Sequence, residues 1–373
     1  MKIGIDCRAL SQFTDGIGKY TLRLIEQLGK IDKGNQYVLF FNNEHYGQKN
    51  YGQNFVSVIV PYRHLTLRSL FLMGALANKY NLDLFHSLFF IMPYGIRCKK
   101  MITVPDLMAL KVRNFFSGRP WLIEMYARNY HKIFVPGSIK RADKIITISN
   151  ATRDDVNQLL GMPKDNMTAI PLGVDDTFYR RDGGQIRELA NKYILPEKYI
   201  LYTGNTKPYK NILGLIKSYK IFKEKGGVCK LVMISYKDRF RESIDKLIVD
   251  LKLNKDVLFM DNIANDDLPI IMSRAQMFVF VSLYEGFGLP PLEAMACGCP
   301  TIVSNIPSLS EVVGDSAIKI DPNDHAGIAD SLLKLERSTE LRKTYTQKGV
   351  EQAQKYSWER YARETLQMYE SLK

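Results

Sequence analysis

The chain has 373 residues, 46% of them hydrophobic and 24% charged, with a formal net charge of +13. That length exceeds what one hydrophobic core usually organises and points to two domains, and the composition excludes a disordered or low-complexity protein. The charge is unevenly placed: residues 1–174 carry 23 Lys and Arg against 12 Asp and Glu, a balance of +11, whereas residues 175–373 carry 29 against 27.

The opening "MKIGIDCRAL" has Asp6 and Arg8 interrupting its apolar run, which fits a first strand and not the apolar core of a signal peptide. Strands are expected at "IGID", "YVLFF", "FVSVIV", "DLFHS", "MITV" and "KIITIS", with a long helix near 119–141. "AIPLGVDDTFY", 169–179, has no helical period and Asp182-Gly183-Gly184 follows it, so a linker is placed near 174–188. A second series then begins with "YILYTG", "CKLVMIS", "VLFM", "MFVFVS" and "PTIVS", and a last helix at about 357–372 comes after that sheet is complete. Short β-branched runs alternating with helical stretches signal parallel sheets with crossover helices. The expected fold is α/β, with two doubly wound, Rossmann-like domains at 1–174 and 188–356 and residues 357–373 packing back on the first.

No apolar run approaches the roughly 18 residues that span a bilayer. The five cysteines, Cys7, Cys98, Cys229, Cys297 and Cys299, are odd in number and scattered, as expected of a cytoplasmic chain without disulfides. Cys297-Gly298-Cys299 has no second Cys/His pair at a zinc-like spacing, so packing is its expected role. Residues 97–144 hold 11 basic and 3 acidic residues, interleaved with aromatics in "RNFFSGRPWLIEMYARNYHKIF". Without zinc-finger spacing, an RNP-like stretch or a helix-turn-helix, no nucleic-acid partner is expected. A solvated helix face and a face meeting anionic lipid headgroups both fit; in the second, each basic residue contributes on the order of 1 kcal/mol.

The most specific signal is "SLYEGFGLPPLEAMACGCP", Ser282 to Pro300. It places a glycine-rich turn at the carboxyl end of an apolar strand, where open α/β sheets bind ligands. Gly286 and Gly288 let backbone approach a ligand, Pro290 and Pro291 suit a helix start, and free N–H groups there suit phosphate. Glu285 and Glu293 on either side would repel bare phosphate but accept hydrogen bonds from hydroxyls. Hydroxyls beside phosphate describe a nucleotide sugar.

"EGFGLPPLEAMACGCPTIVSN" resembles the E-x7-E motif of retaining glycosyltransferases of family 4, which have the GT-B fold of two Rossmann-like domains facing a central cleft. "DGIGKYTLRLI", "FHS", "RADKIITISNATRDDV", "IPLGVD", "YTGNTKPYKN" and "SLSEVVGDSAIKIDP" are similar to the same family, and "YTGNTKPYKN" looks closest to its mannosyltransferase-like branch. The resemblance implies an enzyme that moves a hexose from a nucleotide sugar with retained configuration and no metal or other cofactor. GDP-mannose is the favoured donor and a UDP-sugar the other. The basic, aromatic-bearing N-terminal domain suits a glycan or polyprenyl-diphosphate-linked glycan as acceptor, in polysaccharide or lipopolysaccharide assembly, with the protein in the cytoplasm and peripheral on the inner face of the membrane.

By the same resemblance, Glu293 binds the ribose and Glu285 the donor sugar, and Gly286, Phe287, Gly288 and Leu289 offer backbone N–H groups. Lys210 serves the diphosphate, beside Gly204, Asn205 and Lys207. Gly16 and Gly18 form an N-domain loop facing the phosphates, and Asp106 contacts the reacting sugars. Apart from the resemblance, the basic, aromatic-bearing segment makes Arg113, Arg119 and Lys132 the expected acceptor or membrane face. Two positions differ from the family: Pro105 replaces a common histidine, and no arginine accompanies Lys210, so Lys207 would supply that charge without a bidentate fork. The alternative is a catalytically weak, sugar-nucleotide- or glycan-binding partner in a transferase assembly. An oxidoreductase is disfavoured because "DGIGKY" does not make G-x-G-x-x-G.

Overall fold

Strands buried on both faces need unbroken apolar runs, and in parallel sheets covered by helices they have them. The computed structural model describes residues 1–10, 16–113, 115–181, 183–184, 192–261 and 263–373. They form two compact units: Met1–Lys111, Arg119–Gly173 and Ser357–Lys373 make the first, and Val112–Gly118 and Val174–Tyr356 the second. The expected linker residues 174–181 therefore pack with the second unit; Asp182 and residues 185–191, position 188 included, lie outside the described residues.

The first unit holds a seven-stranded parallel sheet: β1 Lys2–Asp6, β2 Gln36–Phe41, β3 Phe55–Ile59, β4 Leu84–Ser87, β5 Lys99–Val104, β6 Lys144–Thr147 and β7 Met167–Ala169. Its order is β3-β2-β1-β4-β5-β6-β7. The order reverses between β1 and β4, which pair directly, Ile3 opposite Leu84 and Asp6 opposite Ser87. On one side Phe40, Phe85, Ile102 and Ile145 meet Leu70 and Met73 of helix Leu67–Asn78 and Tyr130, Val135 and Ile139 of helix Trp121–Lys140. β3 lies at the sheet edge, and there Val56 and Ile59 are exposed.

The last helix, Trp358–Glu370, belongs to this unit. Ser357 caps it, accepting from Arg360 N at 3.2 Å. Its buried residues, Trp358, Tyr361, Ala362, Thr365 and Tyr369, recur every three or four positions and form one face. Tyr361 meets Tyr20 of helix Gly16–Ile31 edge to face, and Tyr369 reaches β4 through His86. Chain entry and exit lie side by side. A Cβ on Gly173 would come within 2.2 Å of Trp358 N, and Val174 N donates to Tyr356 O at 3.2 Å.

The second unit repeats the plan with β8 Tyr199–Thr203, β9 Lys230–Ile234, β10 Val257–Met260, β11 Met277–Phe280, β12 Thr301–Ser304 and β13 Ile318–Ile320, in the order β10-β9-β8-β11-β12-β13. All five residues of β8 and all four of β11 are buried. Their shared boundary is the switch point of this sheet, with Met277 opposite Ile200 and Phe278 opposite Leu201.

Candidate functional site

Two loops leave the carboxyl ends of β8 and β11 at the switch point of the second sheet, the position where doubly wound folds bind ligands. The β8 loop runs from Gly204 to a 3-10 turn at Pro208–Lys210, and Pro208 starts that turn with its φ already set. Tyr209 O accepts from Leu283 N at 2.7 Å, which ties this turn to the β11 loop. Across that tie Lys210 Nζ meets Glu285 Oε1 at 2.6 Å, with side chains only 10% and 11% exposed. The ammonium also lies 4.7 Å from the Phe280 ring centroid and 5.3 Å from that of Tyr209. One of its three N–H donors is used by Glu285; a phosphate arriving beside the pair would meet the others.

Behind Glu285, the buried Ser308 hydroxyl donates to its carbonyl at 2.7 Å. Gly288 then turns the chain with φ 122°, a left-handed conformation, and a Cβ there would come within 2.5 Å of Leu309 Cδ2. Helix Leu289–Ala296 starts immediately after. Its second and third residues are Pro290 and Pro291, which carry no N–H, so the donor that the helix start contributes is concentrated at Leu289. Glu293 is buried in the second turn of this helix, and Phe287 is buried in the loop before it. Cys297 and Cys299 are buried too, and burial pushes both thiols upward, consistent with packing.

The other expected residues fall as follows. Gly204 has φ 146°, Asn205 Oδ1 accepts from Lys207 N at 3.2 Å, and Asn205 O accepts from Tyr202 OH at 2.8 Å. Gly16 and Gly18 stand in the first turn of helix Gly16–Ile31 in the first unit, not in a loop; Asp15, just before them, lies outside the described residues. Asp106, in the first unit after β5, accepts from Met108 N at 2.8 Å, and the Pro105 carbonyl accepts from Thr152 Oγ1 at 3.3 Å. Arg119 and Lys132 are exposed on the first unit, but Arg113 groups with the second, so the three do not form one face of one unit.

Sequence reading missed several supports of this site. Asp238, in the loop after β9, accepts from the Thr206 hydroxyl and from Phe240 N at 2.9 Å, joining the β8 and β9 loops. Phe115 stacks on Tyr209 with ring centroids 6.0 Å apart, and Lys207 Nζ sits 5.5 Å from the Phe115 centroid. These contacts are not legible in the sequence, because their partners are far apart along the chain.

Two Rossmann-like units, built on parallel sheets of seven and six strands, give the chain the GT-B fold. Solved structures agree on the fold: sucrose-phosphate synthase from Thermosynechococcus elongatus superposes with a TM-score of 0.76 at 19% identity over 100% of this chain and 98% of its own. HepE of Anabaena, in complex with UDP-glucose, also gives 0.76 at 16% identity, over 100% of both chains. In sequence, residues 14–178 match the model described as "Glycosyltransferase Family 4" and residues 186–352 the model "Glycosyl transferases group 1". The chain belongs to glycosyltransferase family 4. Among curated relatives, O-antigen chain mannosyltransferase B of Escherichia coli is 32% identical over 63% of this chain and 62% of its own length. The mannosyltransferase RfbU of Salmonella typhimurium is 28% identical over 63% and 60%, and the serotype-specific mannosyltransferase WbdA of Escherichia coli 30% identical over 70% and 32%. This chain thus spans less than two thirds of the length of each.

Proposed function

We propose that the protein is a retaining, metal-independent glycosyltransferase that moves a mannosyl group from GDP-mannose, or a hexose from a UDP-sugar, to a glycan or polyprenyl-diphosphate-linked glycan. The setting is polysaccharide or lipopolysaccharide assembly in the cytoplasm, at the inner face of the membrane. The observation that carries the reading is the Lys210–Glu285 pair, enclosed at the switch point of the second sheet and followed by the Gly288 turn and buried Glu293. Three mannosyltransferases among the relatives support mannose, two of them named for the O-antigen chain.

In this reading Glu293 accepts from the ribose hydroxyls and Glu285 from a hydroxyl of the donor hexose, while Lys210 and the N–H groups of the 286–289 loop hold the diphosphate. As the bond from anomeric carbon to phosphate oxygen breaks, negative charge grows on the nucleoside diphosphate. A fixed ammonium and oriented N–H dipoles stabilise it without reorganising. The acceptor oxygen attacks from the same face, and the departing phosphate oxygen takes its proton. Glu285 forms no covalent bond, unlike the nucleophile of a retaining hydrolase; sugar found attached to Glu285 of the parent enzyme by mass spectrometry would refute this step.

The deciding experiment is nucleotide release from GDP-mannose, UDP-glucose, UDP-galactose and UDP-GlcNAc in the presence of a metal chelator, with Glu285→Ala as control. Release from one donor, stimulated by acceptor and abolished in the control, is expected. Silence with all four, while calorimetry shows binding, would instead favour a binding partner in a transferase assembly and make Pro105→His the next variant. The membrane setting fails separately if activity on a lipid-linked acceptor ignores both anionic vesicles and charge reversal of Arg119 and Lys132.

A further inference from the structure

Where the first sheet reverses its order, the carboxyl ends of β1 and β4 bring together polar side chains that the donor site does not use. Asp6, the last residue of β1, and Arg8 are 8% and 3% exposed. Asp6 Oδ1 accepts from Arg8 Nε at 2.8 Å and Oδ2 from a terminal N–H at 2.6 Å. The other terminal nitrogen of Arg8 donates to Ser69 Oγ of helix Leu67–Asn78 at 2.6 Å. Of the five N–H donors of a guanidinium, these bonds leave one on each terminal nitrogen without a partner among the described residues. The cavity beside them is about 10 Å³, room for one oxygen atom and not for a sugar ring. Asp6, Arg8, Ser69 and Ser87 form its buried floor. Its partly exposed rim includes His64 and Phe89, whose rings meet edge to face 5.7 Å apart. A buried ion pair alone would be a brace, but Tyr130 does not fit that account. It is 3% exposed, and its hydroxyl has no hydrogen-bond partner among the described residues. That hydroxyl lies near enough to Arg8 for the guanidinium to act on it electrostatically. Phenylalanine would fill the same space without stranding a hydroxyl.

We propose that this pocket takes one hydroxyl of the acceptor glycan, held by the unused N–H groups of Arg8 and by the Tyr130 hydroxyl, with the pyranose ring outside against His64 and Phe89. The inference rests on the transferase reading above and makes Arg8 and Tyr130 specificity-determining residues for the acceptor. The switch point of a doubly wound sheet is where such folds bind ligands. Charge selects the class of ligand. Asp6 offsets the guanidinium and would repel a phosphate or carboxylate entering beside it, whereas an uncharged hydroxyl accepts from Arg8 and donates to Tyr130. The small volume adds to this selection, because it admits a single oxygen and keeps the rest of the sugar at the rim.

Arg8→Ala would strand the buried Asp6 carboxylate, so Tyr130→Phe is the informative change. Methyl glycosides of mannose, glucose, galactose and N-acetylglucosamine are titrated into the full chain by NMR, followed by the monodeoxy analogues of the one that binds best. The parent chain is expected to bind one deoxy analogue about tenfold more weakly than the full sugar. Tyr130→Phe should shrink that discrimination by about threefold or more, while its melting temperature equals or exceeds the parent's. A brace behaves differently, because removing its stranded hydroxyl leaves every sugar affinity where it was. An unchanged deoxy profile in Tyr130→Phe, a parent profile in which no single hydroxyl matters, or no binding of any of these glycosides would each overturn the proposal. A chain that shows the single-hydroxyl selectivity yet releases nucleotide from no donor would uphold the pocket and count against the transferase reading instead.

Discussion

At the scale of single residues, the pair of Lys210 and Glu285 makes the sharpest claim. Each side chain is about a tenth exposed and each offsets the other's charge, so deleting one strands the other. Lys210→Met is expected to reduce turnover about 10²- to 10³-fold, the scale for losing one preorganised donor to developing charge. It should also lower the unfolding free energy by on the order of 3 kcal/mol, and Lys210→Met with Glu285→Leu should recover part of that stability without activity. Steady-state kinetics and denaturant titration of the single and double variants check this; additive stability losses would count against a coupled pair. Gly288→Ala combines a positive φ with a contact against Leu309, so calorimetry should show much weaker nucleotide binding, and Leu309→Ala should relieve only the steric share. The two glutamates of E-x7-E were legible because their spacing is local. The ion pair was not, because 75 positions separate its members and neither residue type announces a partner.

At the scale of elements, the Trp358–Glu370 helix is fixed to β4 and β5 through one imidazole. His86 Nδ1 is 2.8 Å from Tyr369 OH and Nε2 is 2.8 Å from Thr103 Oγ1. Burial pushes His86 down from 6.5 to about 3. A depressed histidine is neutral in the folded chain and protonates first in the unfolded one, so its contribution is intact above about pH 6.5 and is lost as pH falls toward 3. His131, also lowered by burial, acts in the same direction. The His86 ring should therefore stay neutral at pH 5 by nitrogen NMR, and His86→Gln should flatten, without abolishing, the acid-side fall in stability. Eleven strands were legible as apolar runs, and so were the long helix and the last one. β7 and β13 were not: each has three residues at a sheet edge, and β13 is only partly buried, so neither needs an apolar run long enough to register. The family resemblance placed Gly16 and Gly18 in a loop, yet the helix carries them in its opening turn.

At the scale of the whole molecule, the first unit is discontinuous in sequence, assembled from both ends of the chain. A fragment of residues 1–173 would leave Tyr20 and His86 without the Trp358–Glu370 helix and is expected to aggregate. Joining Gly173 directly to Ser357, with Val112–Gly118 replaced by a flexible linker, should give a soluble chain with cooperative melting by circular dichroism. A fragment 1–173 that folded equally well would show the returning helix to be dispensable. The nearness of Gly173 to Trp358, and of Val174 to Tyr356, also has a consequence for diversification. Residues 174–356 leave and re-enter the first unit at one seam, although Val112–Gly118 also belongs to the second unit. Recombination that exchanges residues 174–356 between relatives need match one pair of neighbouring peptide bonds there, and the segment 112–118, with its own two junctions, must travel with it. A lineage can in this way exchange its second unit while keeping the scaffold of the first.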